Sequence, residues 1–155
     1  MRILWACAAA TIFLPVAIAR ADGITIPEIQ EGLWQVTMHN VNSPGNQVMD
    51  SSFKLCRNHA YDKRVESMVN SQKGCTLTLE NIGGGKYTST GRCTVAGSVL
   101  VSTAVITTTS TSSHTETQTT FTPAFYGQTS STMIQDQKYL GACPAGMQPG
   151  SRAPG

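Results

Sequence analysis

The chain has 155 residues, 40% of them hydrophobic, and a formal net charge of +2. That length predicts a single domain. Two of the 11 basic residues, Arg2 and Arg20, precede residue 22, so nine basic and nine acidic residues remain beyond it. A near-neutral domain argues against a protein that binds nucleic acid or an anionic membrane surface.

The first 21 residues have the pattern of a secretory signal peptide. Arg2 precedes an apolar run from Ile3 to Ala19, and Ala19-Arg20-Ala21 fits the small-x-small cleavage pattern. A transmembrane anchor is the alternative, but Pro15 interrupts a run that is already short for a bilayer. We therefore expect an exported chain that starts at Asp22 and has no membrane span after cleavage.

The cysteines predict a disulfide framework. Removal of Cys7 with the signal peptide leaves four cysteines, and an even number in an exported chain favours two disulfides, for which three connectivities exist. Zinc binding is the alternative, disfavoured by the absence of a CxxC motif. The four are Cys56, Cys75, Cys93 and Cys143.

The first predicted hairpin follows a lead-in segment from Asp22 to Glu31. From Gly32 to Asn40, apolar and polar side chains alternate as in a strand, and Pro44-Gly45 suits a type II turn. Folding the chain there places large apolar residues opposite each other on one face, which supports the register. The pairs are Trp34 with Leu55, Val36 with Phe53, and Met38 with Ser51.

The next elements are a short helix and a second hairpin. Asn58 can cap a helix that runs to about Asn70. Gly83-Gly84-Gly85 then predicts a tight reversal, because glycine tolerates positive φ. Pairing outward from Gly84 brings Cys75 opposite Cys93. That geometry favours a Cys75–Cys93 disulfide and leaves Cys56 for Cys143.

The region from Ser102 to Thr122 is rich in hydroxyl side chains, with 14 Ser and Thr among 21 residues. β-branched Thr favours strands. Folding about Ser113 pairs Val105 with Phe121 and Thr107 with Thr119, which makes a cross-strand Thr ladder. One interpretation of that ladder is an ice-binding surface, and the simpler alternative is an ordinary polar face of a strand.

The remaining segments complete an all-β pattern. Pro123 to Gly127 predicts a turn, Gln128 to Tyr139 the last strands, and Met147 to Gly155 a disordered tail. The predicted fold is mainly β: a curved antiparallel sheet or small up-and-down barrel of six to eight strands, with one short helix at one end and two disulfides. A two-sheet sandwich is the alternative. The domain is expected to span residues 22–146.

Catalytic and metal-binding patterns are missing from the sequence. It has no GxSxG, phosphate loop or HExxH motif. The histidines, His39, His59 and His114, fall in three separate elements, and Asp62 and Glu66 read as solvated helix charges. We therefore predict no enzyme activity, metal or cofactor.

Several short motifs together resemble family 3617 of the domains of unknown function, small exported proteins of Gram-negative bacteria. Gly32-Leu33-Trp34-Gln35-Val36-Thr37 is similar to the family's Gly-Leu-Trp-Glu-Val-Thr start, and Leu140-Gly141-Ala142-Cys143-Pro144 to its Leu-Gly-x-Cys-Pro ending. Cys56, Cys75 and Cys93 also match its order. Glu31 departs from the Pro usual before Gly32. The resemblance implies a periplasmic β domain and assigns no catalytic residue.

Two functions fit these features. The first is binding of an apolar or amphipathic small molecule in the hollow of a sparsely filled sheet, next to Trp34, Val36, Phe53 and Leu55. The alternative is a protein-protein module, such as a hydrolase inhibitor, that docks an envelope protein through Phe125 and Tyr126 in an exposed turn. An enzyme is the third hypothesis.

Overall fold

The computed structural model describes residues 24–155. The predicted signal peptide falls on residues 1–21 and lies outside the described residues. Eight strands and one helix follow the lead-in, here residues 24–31, in this order: β1 (Gly32–Ser43), β2 (Gln47–Arg57), α1 (His59–Asn70), β3 (Cys75–Gly83), β4 (Lys86–Val95), β5 (Ser98–Thr108), β6 (Ser112–Phe125), β7 (Gln128–Gly141) and β8 (Arg152–Pro154).

The eight strands form one open antiparallel sheet in the order β3-β4-β5-β6-β7-β1-β2-β8. The predicted mainly-β fold with one helix is confirmed, and the open sheet decides between the architectures that the sequence left open. Within residues 24–155, α1 is too short and too polar to cross a membrane.

The predicted register of the first hairpin is confirmed. Trp34 lies opposite Leu55 and Val36 opposite Phe53. Gly45 has the positive φ that the third residue of a type II turn requires, 94°, and Asn46 after it also has a positive φ, 49°. Asn is one of the few residues besides Gly that adopt the left-handed region readily.

Both disulfides occur as predicted, Cys75 with Cys93 and Cys56 with Cys143. Cys75 pairs with Cys93 across β3 and β4, with their Cα atoms 4.0 Å apart. The helix prediction is also confirmed: the side chain of Asn58 accepts a 2.8 Å hydrogen bond from the Tyr61 amide at the start of α1.

The predicted register of the Thr-rich hairpin is wrong. Thr119 lies opposite Ser102 instead of Thr107, and Phe121 lies opposite Leu100 instead of Val105. The reversal occurs before Ser113 because the Thr109 hydroxyl accepts hydrogen bonds from the amides of Thr111 and Ser112, at 3.2 and 3.0 Å. Such hydroxyl-to-backbone bonds create turns without glycine or proline.

Two further predictions near the carboxyl end need correction. The predicted Pro123–Gly127 turn is shorter, because β6 continues to Phe125 and only Tyr126 and Gly127 form the turn. The predicted disordered tail is wrong for its last part, since Arg152–Pro154 form β8 against β2. The amide of Cys56 also donates a 3.1 Å hydrogen bond to the Ser151 carbonyl, which fixes the approach to β8.

The two faces of the sheet differ in burial. We call the side that carries Trp34, Leu79, Ile106, Thr115 and Gln137 the inner face, and the opposite side the outer face. Inner-face residues are mostly buried or half-buried, whereas their neighbours along each strand are mostly exposed. Among the described residues, the buried apolar side chains are few: Ile29, Trp34, Val36, Leu55 and Cys56.

Candidate functional site

The lead-in lies between α1 and the inner face, and hydrogen bonds hold it to the helix. Ile24 and Asn70 exchange two bonds of 2.9 Å, one from the Ile24 amide to Oδ1 and one from Nδ2 to the Ile24 carbonyl. The amide of Ile26 donates to Glu66 Oε2 at 2.8 Å. Pro27 keeps the segment out of regular structure, so these side chains replace the partners that a strand would have supplied.

A groove remains between the lead-in and the inner face. Its deep part is a cavity of about 200 Å³ with Ile26 and Pro27 on one wall and Leu79 and Ile106 on the other. An adjoining cavity of about 580 Å³ shares Ile26, Pro27 and Leu79 and opens towards Lys63. We call the two cavities together the groove. The groove lies between two layers of the protein, whereas the hollows of about 410 and 690 Å³ lie largely on the charged outer face.

Arg57 is the cation at the deep end of the groove. Its Nε and Nη2 lie 3.0 and 2.9 Å from Asp62 Oδ1, and its Nη1 donates to Gln137 Oε1 at 2.6 Å. The side chains of Arg57 and Asp62 are only 12% and 15% exposed. This arrangement links α1 to the sheet and leaves the groove with one fixed polar end.

Arg57 and Gln137 were missed in the sequence analysis. A signal for Arg57 exists: it follows Leu55 at strand spacing, so a charge continues the apolar face of β2. Gln137 has no comparable signal, because β7 carries polar residues on both faces.

The four residues predicted to contact a ligand do lie together, but they are packed by protein. Trp34, Val36 and Leu55 are buried, and Trp34 is 0% exposed. The guanidinium of Arg152 lies 4.3 Å from the centre of the Phe53 ring. None of the four lines the groove. The groove begins beyond Trp34, on the side where Arg57 lies 5.7 Å from the indole ring.

The residues predicted to contact a partner form an aromatic cluster at the tip of β6 and β7. Phe125 stacks on Phe121 with ring centres 6.0 Å apart, and Tyr126 meets Phe125 edge-on at 4.5 Å. Tyr126 is 88% exposed. Tyr126 and Gly127 both have a positive φ, 47° and 82°, as a tight turn between two strands requires.

The outer face carries two pairs of histidine and carboxylate. His39 Nδ1 lies 2.6 Å from Asp50, and His114 lies 2.7 Å from Asp136 and 3.1 Å from Glu116. Hydrogen bonds to Asp136 and then to Glu116 raise the pKa of His114 above its usual value. In residues 24–155, no group of three or more such side chains is arranged to hold a metal ion.

Replacement of Asp136 by asparagine is expected to lower the pKa of His114. The carboxylate stabilises the imidazolium, so its loss moves the pKa back towards the ordinary value. Because the folded pKa lies above the unfolded one, protonated His114 stabilises the fold at low pH. That contribution is lost as the pH rises through the folded pKa.

An NMR titration of the His114 ring measures the shift, and Glu116→Gln should lower the pKa less. An unchanged pKa in Asp136→Asn would contradict the assignment.

The family-like motifs meet at one corner of the sheet. Gly32 lies against Gly141, where a Cβ atom would collide with the Gly141 carbonyl and the Tyr139 ring. Leu33 pairs with both Gly141 and Cys56, and Cys56 is bonded to Cys143. These motif residues therefore join β1, β2 and β7, which is a structural role.

Comparison with known proteins identifies one family. A search of curated proteins and a search of solved structures found no match. The model of one family, described as a protein of unknown function (DUF3617), matches residues 29–143. That span runs from the lead-in to the second cysteine of the long-range disulfide and covers most of the chain, so the protein belongs to the DUF3617 family.

Proposed function

We propose that the protein is a periplasmic, non-catalytic binding protein that holds a small amphipathic molecule in the groove. The observation that carries the proposal is the position of the groove between two layers, the lead-in and the sheet. Ligand sites are typically concave, mostly apolar and furnished with a few polar groups at fixed positions. The deep part of the groove has that composition, with Ile26, Leu79 and Ile106 in its walls and Arg57 and Gln137 at one end.

The side chains around the groove favour a ligand with an apolar body and a polar end. Ile26, Leu79 and Ile106 offer apolar contact, and Thr115 and Gln137 offer hydrogen bonds at the deep end. The open end is lined by Lys63 and Glu28, one cation and one anion, and so offers charged and polar contacts to a head group. A fatty acid or a related single-chain amphiphile has this distribution of polar and apolar atoms.

Export to the periplasm is part of the proposal. Two disulfides suit an oxidising compartment, and the pattern of residues 1–21 is typical of a signal peptide. Detection of the cleaved chain in a periplasmic fraction, with Asp22 at its amino terminus, tests this part.

Replacement of Ile106 by glutamine is expected to weaken ligand binding about tenfold, because an unpaired amide in an apolar wall costs on the order of 1–3 kcal/mol. Dodecanoate is a suitable probe, with its binding measured by calorimetry or by displacement of anilinonaphthalene sulfonate. Val105→Gln is the matched control: Val105 is the preceding residue of β5, lies on the outer face and is 51% exposed.

Equal affinities for Ile106→Gln and Val105→Gln would contradict the groove as the binding site. The absence of saturable binding by the wild-type protein would reject the ligand proposal itself. Native mass spectrometry of protein purified from its own periplasm would then show whether another small molecule is retained.

A second candidate function rests on Tyr126. An exposed aromatic side chain at the tip of a turn is typical of an anchor residue in protein-protein recognition. If the groove binds no amphiphile while Tyr126→Ala abolishes co-purification of an envelope protein, the interaction module replaces the ligand-binding proposal.

A further inference from the structure

The two edges of the sheet are unlike. β8 is three residues long and contains Arg152 and Pro154. Short length, proline and charge are the features that protect an edge from pairing with another chain. β3 has nine residues and a single charged side chain, Glu80. Its regular pairing with β4 ends only after Asn81. β3 therefore lacks the protection that β8 has.

Some backbone amides and carbonyls of β3 point away from β4, towards the free edge of the sheet. The Thr94 amide donates to the Gly74 carbonyl at 2.9 Å, and the next residue, Cys75, donates its own amide back to Gln72. Because hydrogen-bonded and non-hydrogen-bonded pairs alternate in an antiparallel ladder, the amides and carbonyls of Leu77 and Leu79 face outward. In residues 24–155, β3 pairs with β4 alone.

We propose that β3 pairs with β3 of a second copy of this chain, antiparallel, about a two-fold axis at Thr78. Thr78 is the midpoint of the regular run from Cys75 to Asn81. An isologous interface must be self-complementary, so each residue has to suit the one that the axis places opposite it.

This register satisfies that condition. Leu77 of one copy lies opposite Leu79 of the other, and the two residues exchange the hydrogen bonds that are free at the edge. On the outer face, Thr78 meets Thr78, and Thr76 meets Glu80. No like charges oppose each other, and the Thr76 hydroxyl can donate to the Glu80 carboxylate.

The dimer would also extend the groove. Leu79 and Tyr87 lie in the wall of the cavity of about 580 Å³. Pairing about Thr78 places Leu77 of the second copy beside Leu79, which lengthens the apolar wall on the inner face. The pairing itself depends only on the β3 edge and stands whether or not the groove binds a ligand.

The test is sedimentation equilibrium of the full disulfide-bonded protein over a range from about 5 µM to about 1 mM, since an edge-only interface is small and we expect its Kd to lie in this range. We expect a reversible monomer-dimer equilibrium. Thr78→Lys should raise the Kd at least about tenfold, because it sets two ammonium groups opposite each other at the axis. Thr76→Lys is the matched control and should keep the dimer, because its ammonium group lies opposite Glu80.

A charge-swap experiment checks the axis independently of variant stability. Thr78→Lys and Thr78→Glu should each dimerise more weakly than the wild type, and an equimolar mixture should form heterodimers at concentrations where neither variant dimerises alone. Circular dichroism and thermal unfolding verify that each variant is folded, since the Thr78 hydroxyl contacts that of Thr90 at 2.6 Å. A folded wild-type protein that stays monomeric at about 1 mM overturns the proposal. So do equal effects of Thr76→Lys and Thr78→Lys, or a mixture without heterodimers.

Discussion

Removal of the Cys56–Cys143 disulfide by the double substitution Cys56→Ala and Cys143→Ala is expected to lower the free energy of unfolding by roughly 4–5 kcal/mol. The bond joins residues 87 positions apart, so its loss frees a long loop in the unfolded chain. Substitution of both cysteines avoids a free thiol that could mispair. Urea unfolding at fixed temperature measures the change.

The Cys75–Cys93 bond is the matched control, because it spans only 18 positions. In the chain-entropy model its removal costs about 3 kcal/mol, so the long-range bond should matter more by about 1.4 kcal/mol. Peptide mapping of the unreduced protein should recover these two pairs. A Cys56–Cys75 linkage, or a larger loss from the short loop than from the long one, would contradict the account.

Replacement of Trp34 by alanine is expected to lower the free energy of unfolding by roughly 3–5 kcal/mol. The indole is fully buried, donates a 2.9 Å hydrogen bond from Nε1 to the Gln30 carbonyl, and meets the Tyr139 ring edge-on at 5.8 Å. Its removal leaves a cavity beneath the lead-in and an unpaired carbonyl. Chemical unfolding followed by far-UV circular dichroism measures the loss without depending on tryptophan emission.

Two other substitutions serve as comparisons for Trp34→Ala. Trp34→Phe keeps most of the packing and should cost less, with loss of the Gln30 bond as its main defect. Tyr126→Ala removes an exposed aromatic side chain and should stay within about 0.5 kcal/mol of wild type. Comparable losses for Trp34→Ala and Tyr126→Ala would mean that the core is not centred on Trp34.

The burial of Trp34 makes its fluorescence a poor probe of ligand binding in the groove. A ligand cannot displace water from a ring that protein already covers, so the emission of Trp34 need not change when the groove is filled. Arg57 lies between the indole and the groove, which makes any response indirect. The comparison of Ile106→Gln with Val105→Gln, by calorimetry or probe displacement, is therefore the direct test.

The sequence by itself determined the elements whose side-chain patterns are compatible with only one strand register or one helix start. In the first hairpin, the apolar alternation around Trp34 fits a single register, because a slip of one residue would move that face into water. The glycine triplet at Gly84 and the position of Cys75 fixed the second hairpin in the same way. Asn58 identified the start of α1 because few residues satisfy the free amides of a helix terminus.

Only the tertiary structure decided the Thr-rich hairpin and the groove. A row of Ser and Thr looks alike in several registers, so the bonds of the Thr109 hydroxyl and the pairing of β6 with β7 select one of them. The lead-in and β8 have no strong pattern of their own and take their positions from distant partners such as Glu66 and Leu55. Local patterns specify local pairing, whereas contacts between segments far apart in the chain depend on the assembled sheet.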